Sequence, residues 1–186
     1  MFKTRVVLLG ALLLVGCTMR SEARTPNPNV LGERKSRGTV TLDVSRVPED
    51  ELCSQQGGLR DFCVTNFRSA IGSGLQRLLP LYIDSSQPGP TYTAIFRLIE
   101  FSHSMTSSSG LVGSNLKVTL RWQFELRAPS GEPIVQLAET TDGPEQFTST
   151  SATDRVIYVL LNSVMETVAK AIKTSSTWPT QTDAPR

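Results

Sequence analysis

Three cysteines and one histidine carry the side chains best suited to covalent or metal chemistry in this sequence. Cys17 directly follows an uncharged apolar run, Val6–Val15, and the small residue Gly16. Cys53 and Cys63 lie further along the chain, and the histidine is His103. A cysteine thiol can form a disulfide, bind a metal ion or be modified by a lipid, so the surroundings of each cysteine decide which chemistry to expect.

Residues 1–16 have the pattern of a secretory signal peptide. Lys3 and Arg5 precede the apolar run, and Gly16 stands at its end. A basic start, a short apolar core and a small boundary residue are typical of such signals. The run is too short to cross a bilayer as a helix, which needs roughly 20 residues. We therefore predict a cleaved signal peptide, with an uncleaved anchor as the alternative.

The four residues Leu14–Cys17 resemble the lipobox of bacterial lipoproteins. The resemblance implies a diacylglycerol on the Cys17 thiol, cleavage before Cys17, and acylation of the new amine, for example with palmitate. Two or more acyl chains anchor a protein stably, whereas one chain holds it only weakly. In the sorting rule of enterobacterial lipoproteins, an aspartate directly after the cysteine retains the protein in the inner membrane. This chain has Thr18 there, which resembles outer-membrane sorting, so we expect an outer-membrane lipoprotein that faces the periplasm.

Lipidation of Cys17 would leave Cys53 and Cys63 as an even pair in an oxidising compartment. This count favours a disulfide between them. One buried and one exposed free thiol is the alternative. A metal site is less favoured, because His103 is the sole histidine and the two cysteines lack close C-x-x-C spacing. We expect no metal and no cofactor.

The charge balance argues against a nucleic-acid partner. The chain has 19 Lys and Arg against 17 Asp and Glu, and loss of Lys3 and Arg5 with the signal would make the two counts equal. No cluster of basic residues rises above this background, as binding to nucleic acid or a polybasic attachment to lipid would require.

Periodicity divides the remaining chain into three parts. Residues 17–37 are polar and lack an apolar period, which predicts a flexible tether that spans on the order of 25 Å. Residues 38–174 carry strand and helix patterns and form the predicted domain. Residues 175–186 again lack a period, which predicts a loose tail.

Four stretches alternate apolar and polar residues or are rich in β-branched and aromatic ones, as strands are. They begin at Thr39, Thr91, Asn115 and Ile134.

Two helices are predicted from apolar stripes. The first stripe runs from Leu59 through Phe62 and Cys63 to Leu78, before Pro80, and the second covers about 150–174. Gly72 and Gly74 in the first helix are better explained by close packing against a sheet than by nucleotide binding. The order predicts an α+β fold, in which two amphipathic helices lie on one face of a four-stranded mixed, mainly antiparallel sheet.

The lipobox, polar segment and β-α-β-β-β-α order together resemble a group of outer-membrane lipoproteins. This group includes the LptE-type lipopolysaccharide-assembly lipoproteins and the ABC-transport auxiliary lipoproteins. The resemblance covers about Thr39 to Thr174 and implies docking within an envelope transport or assembly complex, without catalysis. Cys17 is the one functional residue that the resemblance assigns.

The sequence predicts no enzyme. His103 has no motif around it, and the acidic cluster at 49–51 lies in a turn without an apolar pocket. The loop between the second and third strands offers Leu111 and Val112, which we expect to contact a partner or lipid. A disordered hairpin tip is the alternative.

Two function classes stay open. The first is an accessory protein that is anchored by lipid and docks on an envelope complex. The second is a lipid- or glycan-binding carrier that uses the space between the sheet and its helices. A carrier needs an apolar cavity there, whereas a docking protein has a filled core.

Overall fold

A computed structural model describes residues 18–54, 61–86, 88–107, 114–147 and 150–178 of the chain. The strands within these ranges are β1 (Met19–Glu22), β2 (Ser36–Arg37), β3 (Thr39–Arg46), β4 (Glu51–Ser54), β5 (Phe62–Thr65), β6 (Ile83–Asp84), β7 (Thr91–Ser107), β8 (Ser114–Arg127), β9 (Pro133–Asp142) and β10 (Gln146–Phe147). The helices of the described residues are α1 (Phe67–Leu78), which a 3₁₀ turn at Leu79–Leu81 extends, and α2 (Thr150–Thr174).

The fold is α+β, as predicted, and its main sheet is mixed. The strand order is β3-β7-β8-β9, and β10 also pairs with β8. The β3–β7 pair is parallel, and the other pairs of this sheet are antiparallel. The four predicted strands therefore form one sheet.

The core lies between this sheet and the two helices. Strand alternation turns every second residue of β8, from Leu116 to Leu126, toward the helices, where each is at most 1% exposed. The ring of Trp122 stacks on that of Phe96 with centroids 5.7 Å apart. The apolar stripe of α2 meets them with side chains that are fully buried, which are Val156, Ile157, Leu160, Leu161, Val164, Met165, Val168 and Ile172.

The first helix begins later than its apolar stripe suggested. Phe62 and Cys63 belong to β5, which pairs with β4 on one side and β1 on the other. Asn66 then adopts a left-handed conformation, with φ 59°, and α1 starts at Phe67. The prediction that Phe62 and Cys63 are helical was wrong, because strand pairing overrides a helical spacing that a strand–turn–helix can also satisfy.

The prediction of a flexible tether over residues 17–37 is corrected by the structure for the part that it describes. We call residues 19–37 the N-terminal strap. The strap forms β1, which pairs in parallel with β5, and β2, which pairs with β6. Between them the buried ring of Pro26 packs on α1 at Gly74.

Side-chain contacts fix the strap to α2. The hydroxyl of Ser21 donates to Oδ1 of Asp154 at 2.8 Å, and the backbone N–H of Asn27 donates to Oδ1 of Asn162, also at 2.8 Å. A polar segment without a period is thus ordered by individual hydrogen bonds.

The start of the predicted loose tail is also packed. The hydroxyl of Ser175 donates to the carbonyl oxygen of Ile134 at 2.7 Å. The indole N–H of Trp178 donates to the carbonyl of Ile172 at 3.2 Å, and its ring lies 6.2 Å from that of Tyr92. The prediction of a loose tail is therefore corrected for residues 175–178, and residues 179–186 lie outside the described part of the chain.

Candidate functional site

The residues that the sequence singled out fall into two groups. Cys17, Leu111 and Val112 lie outside the described residues. Cys53 and Cys63 are brought together across the β4–β5 hairpin and form a disulfide with an S–S distance of 2.10 Å. Cys63 is buried and Cys53 is exposed. The disulfide therefore joins two strands, instead of joining a loop to a helix.

The neighbourhood of this disulfide is not suited to a metal ion. A carboxylate oxygen of Glu51 and the two sulfurs lie within 4.8 Å of one another. Metal binding to cysteine requires thiolates, however, and both sulfurs are used in the disulfide. The Glu51 carboxylate instead lies 3.3 Å from Nε of Arg20 on the strap.

His103 is a buried residue of the sheet. It is 6% exposed, and its Nδ1 lies 3.0 Å from the hydroxyl of Ser54, which is also 6% exposed. The ring of Phe62 packs against the imidazole with centroids 5.8 Å apart. A serine beside a histidine can act as a nucleophile and base, but neither side chain here is accessible to a substrate. The pair joins β4 to β7.

An accessible feature of the described residues is the outward side of β3, β7, β8 and β9, which we call the open sheet face. The outward side chains of β8 are half-buried or exposed, in contrast to its inward ones. The strand registers place Arg46, Arg97, Gln123 and Ala138 in one row across the four strands. Two shallow depressions, of about 290 and 370 Å³, lie along this row and meet at Gln123 and Ala138.

Each depression of the open sheet face is lined by one arginine and one glutamate, Glu125 in the first and Glu139 in the second. Arg97 lines the first depression and Arg121 the second. Within the described ranges, Arg46, Arg97 and Arg121 form no ion pair, and the buried Nε of Arg97 has no hydrogen-bond partner. Ile99 stands beside them with 47% of its surface exposed. The face therefore offers unused donors next to apolar surface.

Two acidic residues of this face, Glu125 in the first depression and Asp142 at the end of β9, are paired with cations. Nη2 of Arg127 donates to Oε2 of Glu125 at 2.9 Å, and Gln136 donates to Oε1 of the same carboxylate at 3.2 Å. The hydrogen bond from Arg127, more than that from Gln136, lowers the pKa of Glu125. Similarly, Lys117 lowers the pKa of Asp142, whose carboxylate it contacts at 2.7 Å.

The sequence carried part of the signal for this face. Alternation in β7 turns Ile95, Arg97 and Ile99 outward, which places two isoleucines on the polar side of the sheet. None of these residues was predicted from the sequence to belong to a site. The missing hydrogen bond of Arg97 becomes visible only with the strand registers, because these determine which side chains could have reached it.

Among the described helices, none is both long and apolar enough to cross a membrane.

No protein-family model matches the sequence, and no curated protein sequence matches it either. Among solved structures, the chain is similar to a Xanthomonas campestris protein of the DUF330 family, at 15% identity and a TM-score of 0.48, over 84% of this chain and 93% of that one. It is also similar to a minor lipoprotein from Acinetobacter baumannii, at 12% identity and a TM-score of 0.38, over 74% of this chain and 91% of that one.

Proposed function

We propose that the protein is an accessory lipoprotein of the bacterial envelope, anchored through Cys17 to the periplasmic side of the outer membrane. Its role is to dock, without catalysis, on a protein of an envelope transport or assembly complex, of which lipopolysaccharide assembly is one example. The lipobox-like Leu14–Cys17 supports the anchor. The observation that carries the docking role is the open sheet face with its unused Arg97 donor.

The chemistry of this face suits a protein partner. An arginine N–H that is buried without an acceptor costs free energy, and a carboxylate or backbone carbonyl of a partner would supply the missing acceptor. Ile99 and Ala138 lie on either side of the second depression and add apolar area. Arginine surrounded by apolar contacts is a common arrangement at the centre of protein interfaces.

The filled interior argues against the alternative function, a lipid- or glycan-binding carrier. A lipid or glycan carrier would hold its ligand between the sheet and the helices. That space is filled by aromatic and aliphatic side chains, among which Phe96, Trp122 and Leu160 are fully buried. The buried state of His103 and Ser54 likewise supports a non-catalytic role.

Site-specific photocrosslinking in intact cells tests the docking role. A photoreactive amino acid would replace Ile99 on the open sheet face or, as a matched control, Val159 on α2, since both are exposed apolar residues at 47% and 37%. We expect a discrete protein adduct from position 99 and none from position 159, with mass spectrometry identifying a component of an envelope complex.

A charge reversal then links the adduct to Arg97. Arg97→Glu should abolish the adduct at position 99, because it places a carboxylate where the partner's acceptor binds. Arg77→Glu on α1 is the control, because Arg77 is exposed and away from the sheet. An adduct that persists in Arg97→Glu, equal adducts from both positions, or adducts with lipid alone would contradict docking through this face.

A further inference from the structure

The lipid anchor and the folded domain are separated by almost no chain. Met19, the first residue of β1, follows Cys17 by two positions. Its backbone N–H donates to the carbonyl of Asp61 at 2.8 Å, and its register partner in β5 is Phe62. The chain is thus fixed to the domain immediately after the proposed lipidation site.

This short connection limits how far the domain can stand from the bilayer. Two fully extended residues span at most about 7 Å. The flexible tether that the sequence suggested would have spanned on the order of 25 Å. A domain held within one headgroup layer of its acyl chains must touch the membrane with the end from which the anchor emerges.

The strand pairings identify that end. Met19 pairs with Phe62, and Phe62 with Ser54, whose hydroxyl contacts His103 in the second half of β7. The end of β7, the start of β8 and the start of α2 therefore share this part of the fold with Met19. Ser21 confirms the placement of α2 through its hydrogen bond to Asp154. We call this part the anchor end.

The opposite end carries the turn between β8 and β9. The carbonyl of Glu132 accepts from the N–H of Ala128 in this turn, which closes the hairpin. Nine residues of β8, or about 30 Å, separate this turn from Val118, which pairs with His103 at the anchor end. The two ends of the long strands are therefore easily distinguished by their distance from a membrane.

We propose that the anchor end is a membrane-contact surface, whose partner is the phospholipid headgroup layer in which the lipid of Cys17 is inserted. The open sheet face then stands upright from the membrane, and the turn at Ala128–Glu132 points into the aqueous space. This inference rests on the lipidation of Cys17 in the proposed function.

The charges at this end favour contact through the short connection over electrostatic attraction. Arg20 pairs with Glu51, and Lys117 pairs with Asp142. These two cations already have anionic partners, and the exposed Arg155 at the start of α2 is in no ion pair among the described residues. One such cation attracts anionic lipid only weakly, so the contact should persist on neutral phosphatidylcholine and vary little with salt. A surface that bound anionic lipids by charge would lose contact as ionic strength rises.

The test measures distance from the membrane at both ends. The full-length protein, with lipidation of Cys17 verified by mass spectrometry, would be placed in phosphatidylcholine vesicles with a nickel-chelating headgroup. A nitroxide would be attached through Thr106→Cys near the anchor end or Ser130→Cys in the distal turn, both exposed positions. We expect several-fold stronger relaxation by nickel at position 106 than at position 130.

A spacer provides the matched control. Insertion of about ten Gly and Ser residues between Thr18 and Met19 would add on the order of 17 Å of flexible chain. It should reduce the relaxation at position 106 toward that at position 130. Equal relaxation at the two positions without the spacer would overturn the contact while leaving the anchor in place. An unmodified Cys17 would overturn both the anchor and the contact.

Discussion

Strand β8 and the two strands of the N-terminal strap are held in place by different kinds of contact. Every inward residue of β8 is apolar, and these six side chains, from Leu116 to Leu126, are buried in one core. The strap has short strands and depends on single contacts, such as that of Pro26 with Gly74. The stability of β8 is therefore shared by the whole fold, whereas that of the strap is local.

The largest effect should follow from truncation of Trp122 in β8. Trp122→Ala would remove a buried ring that stacks on Phe96 and would leave Oγ1 of Thr141 without the indole donor at 2.9 Å. We expect the free energy of unfolding to fall by about 3–5 kcal/mol, measured by urea denaturation.

The outward residue Ile99 is the control for this change. Ile99→Ala should lower the free energy of unfolding by no more than about 1 kcal/mol, because 47% of the residue is exposed on the outward side of the sheet. Similar losses for the two variants would contradict the assignment of the inward and outward sides of the sheet.

Two glycines of α1 test the strap with a smaller, local effect. A Cβ at Gly74 would lie 2.6 Å from Cγ of Pro26, so Gly74→Ala should displace the strap and lower stability by about 1–3 kcal/mol. A Cβ at Gly72 would meet Cγ2 of Val44 at an ordinary 4.0 Å, so Gly72→Ala should instead stabilise α1 by up to about 1 kcal/mol.

Hydrogen exchange distinguishes a local from a global response to these substitutions. In Gly74→Ala, amides of β1 should exchange faster while those of β8 change much less, because the strap can detach without opening the core. A uniform acceleration would mean that the strap belongs to the cooperative core. Unchanged exchange in β1 would show that the contact with Pro26 does not hold the strap.

The same difference explains how much could be predicted from the sequence. The alternation in β8 and the stripe of α2 repeat often enough to define strand, helix and buried side, and the main sheet followed from them. The strap depends on partners such as Asp154 and Asn162, more than 130 positions away. No local pattern reveals these contacts, so its polar composition was interpreted as a tether.

The candidate site shows the same limit. The lipobox-like motif is local and could be recognised from four residues. The open sheet face depends on the registers that place Arg46, Arg97 and Gln123 in one row. Likewise, the apolar spacing around Phe62 predicted a helix, whereas the structure places Phe62 in β5, which pairs with β1 and β4. These pairings involve distant residues that the local spacing does not reveal.

The smallest expected effect concerns the outward side of β8 and its dependence on pH. The hydrogen bond from Arg127 lowers the pKa of Glu125 in the folded protein. Ionised Glu125 therefore stabilises the fold above its unfolded pKa of about 4.3, and this stabilisation is lost as the pH falls through the lower, folded value. Because 42% of the Arg127 side chain is exposed to solvent, which screens the pair, the contribution should stay below about 1 kcal/mol.

Comparison of urea midpoints for the wild type and Glu125→Gln between pH 7 and pH 2 measures this contribution. The variant should be slightly less stable at pH 7, and the two proteins should converge as the pH falls below about 4. Glu132→Gln, in the exposed turn after β8, should follow the wild type throughout. A difference for Glu125→Gln that stays constant with pH would show that its amide, and not the lost charge, changes the stability, so the outward side of β8 would contribute through hydrogen-bond geometry alone.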